Sequence, residues 1–307
     1  MVLRTRPGAG PIELRRIAEG AEPATYDRFS LAPLAATIGG VVEGVDLRVP
    51  LDDDLQEQLA AALREWKVLF FRDQHLTLEE HAGFAARWGQ LTDDQLTPST
   101  AESLVDNVVV FARDAETKGL ENEWHSDGTF RPMPTMGTVL RAIEVPAVGG
   151  DTLFADMAAA YDNLPGDVRE RIVGMRALHD WSIGAYAGKY ADRLDGLRRE
   201  YPPVEHPVVI RHPETGRATL FVNRLFTREI CGLEPEASDE LLAALCSMVD
   251  LPELQCRWHW EPGSVAMWDN VAVNHYGAND YFPQRRVMAR ATFFSLTHDR
   301  LDPRDLP

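Results

Sequence analysis

Two stretches of this 307-residue chain, Trp124-His125-Ser126-Asp127-Gly128-Thr129-Phe130 and Trp268-Asp269-Asn270-Val271-Ala272-Val273-Asn274-His275-Tyr276, decide how the rest is read. The second is followed by Gln284-Arg285-Arg286. Together they offer two imidazoles and a carboxylate, which are donors for a divalent metal, and a guanidinium, which suits a carboxylate anion. Residues two apart on a strand point to the same face, so His125 and Asp127 can ligate one ion while Ser126 faces away. The tripeptide alone is not specific, because His212-Pro213-Glu214 and His259-Trp260-Glu261 share its pattern. The first of these, with Thr215-Gly216, reads as a turn joining two strands. The second lies in an alternating Trp-rich strand, where a histidine is packed or at the surface.

Outward from these stretches the chain shows short β-type runs separated by turn residues. They are Val108–Phe111, Gly137–Ala142, Thr152–Phe154, Val208–Ile210, Thr219–Val222, Gln255–Trp260, Ser264–Trp268 and Val287–Phe294. Such spacing predicts a sandwich or barrel. Helices are expected over Asp52–Trp66, where apolar residues recur at helical spacing behind an acidic opening, and over Thr77–Trp88, which opens on a Thr77/Glu80 capping box. Further helices are expected at 157–163, 167–178 and 238–249. Val68–Phe71 reads as a short buried strand, and Ile38–Val45 as a glycine-punctuated hairpin. No repeat of 20 to 50 residues is visible. The expected organisation is a Gly/Pro/Arg-rich arm over 1–28, partly ordered, one compact domain over 29–298, and a tail over 299–307.

With 45% hydrophobic residues the chain can bury a substantial core. No apolar run approaches the roughly 20 residues of a membrane-spanning helix, and Met1–Arg16 has no apolar stretch resembling a signal peptide, so a cytoplasmic location is expected. Cys231, Cys246 and Cys256 are scattered and odd in number, which reads as reduced packing thiols. The formal charge of −17 repels nucleic acid and anionic membranes at long range, so neither is expected as a partner. An anionic small substrate then has to be drawn in by a local cluster of arginines.

Further motifs stand in order along the chain. Val68-Leu69-Phe70-Phe71-Arg72-Asp73-Gln74, Gly149-Gly150-Asp151-Thr152-Leu153, His206-Pro207-Val208-Val209, Leu220-Phe221-Val222-Asn223 and the run from Tyr281 to Thr292 accompany the two opening stretches. Through them the chain, from about Leu31 to Phe294, resembles the taurine dioxygenase family of Fe(II)- and 2-oxoglutarate-dependent oxygenases. The resemblance implies a mainly β fold with flanking helices, built on a double-stranded β-helix or jelly-roll core. It implies metal ligands His125, Asp127 and His275, with 2-oxoglutarate held by Arg286 and by the hydroxyl of Thr152. Two histidines and one carboxylate leave the other positions of Fe(II) open for 2-oxoglutarate and dioxygen. Family members that halogenate lack the carboxylate, so the presence of Asp127 implies hydroxylation. By analogy a homodimer or tetramer is expected.

The substrate end is read less directly. Arg290 shares a strand face with Arg286 by period two, and in the resembled family this position binds a sulfonate. That implies a small anionic substrate: a sulfonate, a sulfate or a carboxylate. Trp181 and Phe226 align with apolar pocket positions. The sequence departs from taurine enzymes after Trp88-Gly89, where Gln90-Leu91-Thr92-Asp93-Asp94-Gln95 replaces a His-rich segment; Asp93 and Asp94 would repel a sulfonate that they faced or attract an ammonium, but read first as caps of a solvated loop. The competing readings are a mononuclear zinc hydrolase, since two His and an Asp also suit zinc, and a catalytically silent β-barrel binding protein.

Overall fold

A computed structural model of the protein describes residues 11–92, 105–117, 119, 121–182, 188, 191–192 and 194–295. Asp93, Asp94 and the tail over 299–307 lie outside them. The strands are β1 (Ser30–Pro33), β2 (Gly40–Glu43), β3 (Val68–Phe71), β4 (Gly89–Leu91), β5 (Val109–Arg113), β6 (Gly137–Glu144), β7 (Thr152–Asp156) and β8 (Arg176–His179). They continue with β9 (Val204–Pro207), β10 (Val209–Arg211), β11 (Ala218–Leu220), β12 (Thr227–Ile230), β13 (Gln255–Trp258), β14 (Val265–Asp269), β15 (Val273–Gly277) and β16 (Arg286–Ser295). Among the described residues, the main sheet runs β1-β2-β3-β14-β6-β16-β4, with β5 also paired to β16. A smaller sheet, β13-β7-β15, carries His275. These two sheets form a jelly-roll core.

Alternation along the main sheet sorts its side chains into two layers. Val287, Ala289, Ala291 and Phe293 of β16 join Val265 and Met267 of β14 and Leu69 and Phe71 of β3 in one core. That face is covered by α1 (Asp53–Trp66), which brings Leu59, Ala62 and Trp66, and by α2 (Leu78–Ala86), which brings Phe84 and Ala85. The intervening residues Met288, Ala266, Trp268, Val68 and Phe70 pack instead with Phe154, Trp258 and Val273 of the smaller sheet. Arg286, Arg290 and Thr292 alternate with the first set and so share the inner face with Met288. A ten-residue strand thereby holds polar groups between two apolar walls.

Local signals account for the helices. Asp52 accepts from Leu55 N at the start of α1, and both halves of the Thr77/Glu80 capping box form at α2. Two expected elements are corrected. The hairpin read at Ile38–Val45 pairs β2 with β1, so the turn precedes Gly40 and the partner strand lies upstream. The helix read over 167–178 is α4 (Gly166–Ile172), stopped before Gly174, whose φ of +74° is the left-handed conformation that glycine tolerates. Residues from Arg176 on form β8 instead. Residues 11–28 contain no strand or helix, yet they are fastened to the body: Arg217 donates to the carbonyls of Arg15 and Arg16, and Arg16 pairs with Glu65 at 2.7 Å. No helix among the described residues is long and apolar enough to cross a membrane.

Among the buried histidines, His81, His179 and His206 lie outside the His125/His275 pair and have clearly lowered values. Burial, with Arg141 adding, lowers His81 to about 3, although its ring bonds the Val139 carbonyl. Burial likewise lowers His206 to about 4 and His179 well below its usual value, the latter helped by His206. Their folded values lie below the unfolded value of about 6.5, so the unfolded chain binds more protons in the window below pH 6.5. Stability is therefore complete above that value and falls as pH drops toward 4. Unfolding free energies measured by denaturant between pH 7.5 and 5 should show this slope. His81→Gln should flatten it by up to about 1.4 kcal/mol per pH unit, the value of one proton. An unchanged slope would show that His81 does not contribute.

Candidate active site

The backbone brings His125 and His275 together. His125 donates its N–H to the His275 carbonyl at 2.9 Å and accepts the His275 N–H at 2.6 Å, as an isolated antiparallel bridge on the free side of β15. Residues that exchange both bonds in this way stand directly opposite one another, and the two rings lie 4.1 Å apart between centroids. The strand expected at His125-Ser126-Asp127 is only this one bridge, because the chain enters a turn at Asp127. Gly128, at φ +71°, permits that turn, and a Cβ there would come within 2.7 Å of the Thr135 hydroxyl. Asp127 Oδ1 lies 3.7 Å from His125 Nε2 and 3.9 Å from His275 Nε2. One ligand atom from each of the three lies within 4.8 Å of the others.

The protonation states suit a metal. His125 Nδ1 faces the Glu123 carbonyl at 2.7 Å, a contact that holds the proton there and leaves Nε2 as a donor to an ion. His275 Nδ1 is buried without a partner among the described residues. Burial, followed by His125, lowers His275 to about 3, so its ring is neutral; Asp127 opposes this and Arg290 adds to it. Burial pushes the Asp127 carboxyl up, but Arg290, His275, His125 and a Thr138 hydrogen bond outweigh it and bring it down to about 2. A buried carboxylate beside two imidazoles fits Fe(II) by donor type.

A polar chain aims that carboxylate. Trp268 Nε1 donates to Asn270 Oδ1 at 2.8 Å, Asn270 Nδ2 donates to Thr138 Oγ1 at 3.0 Å, and Thr138 donates to Asp127 Oδ2 at 2.9 Å. One carboxylate oxygen is thereby tied back and Oδ1 is left toward the histidines. Sequence reading passed over Thr138 as an ordinary strand residue and quoted Asn270 without a role. The only signal was that Thr138 is a polar residue on the inner-facing period of β6. Outer partners of metal ligands are typically worth about 10–100-fold in metal affinity. Thr138→Val should weaken Fe(II) binding by that range in an equilibrium titration while Thr138→Ser stays near the parent; equal affinity of all three would refute the role.

Arg286 and Thr152 lie on facing sheets. Arg286 is buried, its Nε has no partner among the described residues, and its guanidinium stands 5.9 Å over the Tyr281 ring. Burial lowers its pKa, with Tyr281 and Glu121 opposing. Gly149 and Gly150, at φ +82° and +72°, carry the backbone past it, and a Cβ on Gly150 would come within 3.2 Å of Arg286 Cδ. Asp280 fixes the turn by accepting from Gly150 N at 2.8 Å. Thr152 accepts from Trp260 Nε1 at 2.9 Å. Indole nitrogen only donates, so the Thr152 hydroxyl proton remains available to an anion.

Arg290 reaches toward the histidine–carboxylate group, with Nη1 at 3.6 Å from Asp127 Oδ1. Phe226 presents its ring edge-on to His125 at 6.0 Å. Asn223 sets that position, accepting from Phe226 N and donating to Thr129. Trp181 belongs to the cluster of Phe130, Leu197, Tyr201 and Phe226, where it donates to the Tyr201 carbonyl and is 1% exposed. The structure thus gathers His125, Asp127, His275, Arg290 and Phe226 at one point, while Trp181 packs in the layer with Phe226. The other two His-x-acid histidines lie apart from this group: His212 pairs with buried Asp269 at 2.7 Å, and half-exposed His259 with Asp151 at 2.8 Å.

Comparison with known proteins gives the class of this chain. Residues 30–292 match the taurine catabolism dioxygenase TauD, TfdA family, and the chain belongs to that family. It is a 2-oxoglutarate-dependent non-haem iron dioxygenase, an oxidoreductase whose chemistry uses Fe(II), 2-oxoglutarate and dioxygen. It is 37% identical over 268 residues to (S)-phenoxypropionate/alpha-ketoglutarate-dioxygenase of Sphingobium herbicidovorans, covering 85% of this chain and 93% of that protein. It is 36% identical to the alpha-ketoglutarate-dependent sulfate ester dioxygenase of Pseudomonas putida, covering 85% and 87%. A crystal structure of a taurine dioxygenase from Burkholderia xenovorans superposes with a TM-score of 0.75 at 32% identity, covering 88% of this chain and 92% of the other.

Proposed function

We propose that this enzyme hydroxylates an unactivated C–H bond of a small anionic substrate, a sulfonate, a sulfate or a carboxylate, while 2-oxoglutarate becomes succinate and CO2. One atom of dioxygen ends in succinate and the other in the new hydroxyl. His125, Asp127 and His275 hold Fe(II), which supplies the activation of dioxygen when bound. Arg286 takes the far carboxylate of 2-oxoglutarate by paired hydrogen bonds, and Thr152 adds a hydroxyl donor. Arg290 takes the anionic group of the substrate, with Phe226 and Trp181 on the apolar side of its carbon skeleton. The observation that carries this reading is the meeting of three ligand atoms within 4.8 Å with the Arg290 guanidinium 3.6 Å from one of them. An anion held by Arg290 would lie beside the three donors, so that an attached carbon would stand next to a metal bound there. Two relatives named for phenoxypropionate and sulfate ester substrates support an anionic ligand.

The test is an anaerobic absorption titration with Fe(II) and 2-oxoglutarate, followed by turnover on a panel of sulfonates, sulfates and carboxylates. The visible charge-transfer band of chelated 2-oxoglutarate should need iron and weaken in Arg286→Ala. Arg290→Ala should raise the substrate KM by at least about tenfold, as for loss of one buried charge contact, and leave 2-oxoglutarate affinity within about threefold. Equal loss of both affinities would remove Arg290 from the substrate site.

A further inference from the structure

Beside Arg286 stands a second buried guanidinium that the reading above does not use. Arg113 of β5 and Arg286 of β16 are direct antiparallel partners in the register of the main sheet, and they are only 2% and 8% exposed. Side chains at opposed positions share a face with Cβ atoms about 5 Å apart, where like charges repel. Burying both cations adds a desolvation cost that a counter-charge has to offset. Arg113 has that counter-charge: its Nη2 donates to Glu121 Oε1 at 2.5 Å. Among the described residues Arg286 forms no ion pair, and its Nε is buried without a partner.

Glu121 is set in place by the backbone. Its carbonyl accepts from Gly277 N at 2.9 Å. Two glycines make room for it: a Cβ on Gly119 would fall 1.6 Å from Glu121 Oε2 and 2.7 Å from Arg113 Nε, and one on Gly277 would lie 3.3 Å from Glu121 Cβ. The carboxylate is partly exposed, and it acts on Arg286 electrostatically, as does Arg113 in the opposite sense. Asp151, itself paired with Arg257 and His259, also acts on Arg286 from the Gly149-Gly150 turn.

We infer that Arg113 is a positioning residue for co-substrate binding, holding Glu121 away from Arg286 so that this built-in carboxylate does not take the place of the far carboxylate of 2-oxoglutarate. The inference rests on the reading that Arg286 receives that carboxylate. Removing Arg113 takes away the guanidinium that draws the Glu121 carboxylate from Arg286 and lets it compete there with the incoming anion. Removing the Glu121 charge as well abolishes the competition.

The experiment is the anaerobic charge-transfer titration of full-length, Fe(II)-loaded enzyme with 2-oxoglutarate in four forms: parent, Arg113→Met, Glu121→Gln and the double variant. Arg113→Met should weaken 2-oxoglutarate at least about tenfold, Glu121→Gln should leave it equal or up to about threefold tighter, and the double variant should return to within about threefold of the parent. An Arg113→Met protein that binds as the parent does, or a double variant as weak as Arg113→Met, would overturn the inference. If Arg113→Met does not fold, Glu121→Gln decides: a tenfold loss there would show that the carboxylate assists binding. Absence of any band in the parent enzyme would overturn the underlying reading of Arg286, and the inference with it.

Discussion

Asp127→Ala is expected to abolish substrate-coupled succinate production, with a loss well beyond the roughly 100-fold that marks the upper range for outer partners of a metal. The residue has three partners at once. Its Oδ1 faces both histidines, its Oδ2 accepts from Thr138, and its charge answers Arg290 at 3.6 Å. Alanine removes one of the three proposed donors and takes away the carboxylate that faces the Arg290 guanidinium. Cationic repulsion then disfavours the metal ion itself. Two measurements separate these effects: Fe(II) affinity by equilibrium titration, and succinate formed per turnover at saturating metal. Full substrate-coupled succinate production by the variant would remove Asp127 from the centre.

Lys67→Met should cost about 3–5 kcal/mol of stability, as expected for one partner of a buried ion pair lost, and lower the melting midpoint by about 10 °C. Lys67 ends α1 in the left-handed conformation, φ 61°, and turns inward. Its Nζ donates to the carbonyls of Arg16 and Thr37, both at 2.7 Å, and stands 3.1 Å from Asp156 Oδ2. Burial lowers the Lys67 pKa and the neighbouring Asp156 opposes that fall. Asp156 is fully buried, and its other oxygen caps α3 (Met157–Asp162) by accepting from Ala158 N and Ala159 N at 3.0 Å. Methionine fills the volume but strands the carboxylate. Adding Asp156→Asn, which keeps the cap and removes the charge, should recover most of the loss in denaturant unfolding. A double variant no more stable than Lys67→Met would locate the damage in the lost carbonyl bonds to residues 16 and 37.

Legibility in the sequence followed the range of the physics involved. Thr77 and Glu80 could be read as a helix start because both halves of the capping box are four residues of local chain. The alternation of Arg286, Met288 and Arg290 against Val287 and Ala289 could be read because a strand's two faces are set by its own backbone. Strand partners could not be read: Gly40–Glu43 is extended on local grounds, but its pairing with Ser30–Pro33 rather than a downstream run depends on the whole sheet. The helix expected to reach Leu178 failed at Gly174 because Ile172 and Ala177 enter the same core from a helix and from a strand, so their spacing mimics one periodic element. At the site, residue type and motif order pointed to His125, Asp127, His275 and Arg286. Thr138, Asn270, Arg113 and Glu121 were silent, since each takes its meaning from a neighbour more than a hundred positions away or across a strand.

The double hydrogen bond between His125 and His275 has a consequence for how such an enzyme changes over time. Two of the three candidate donors are spaced by a sheet ladder, and the third hangs from a turn secured by interior polar groups. The hydrogen bonds that space the three come from the His125–His275 bridge and from Thr138 and Asn270, not from the strand Gly89–Leu91 or the loop at Phe226. Reactive core and substrate surround are therefore separable inheritances: loops can be rewritten for a new anion while the chemistry is passed on intact. Relatives named for phenoxypropionate, sulfate esters and taurine are what such a modular lineage would leave behind.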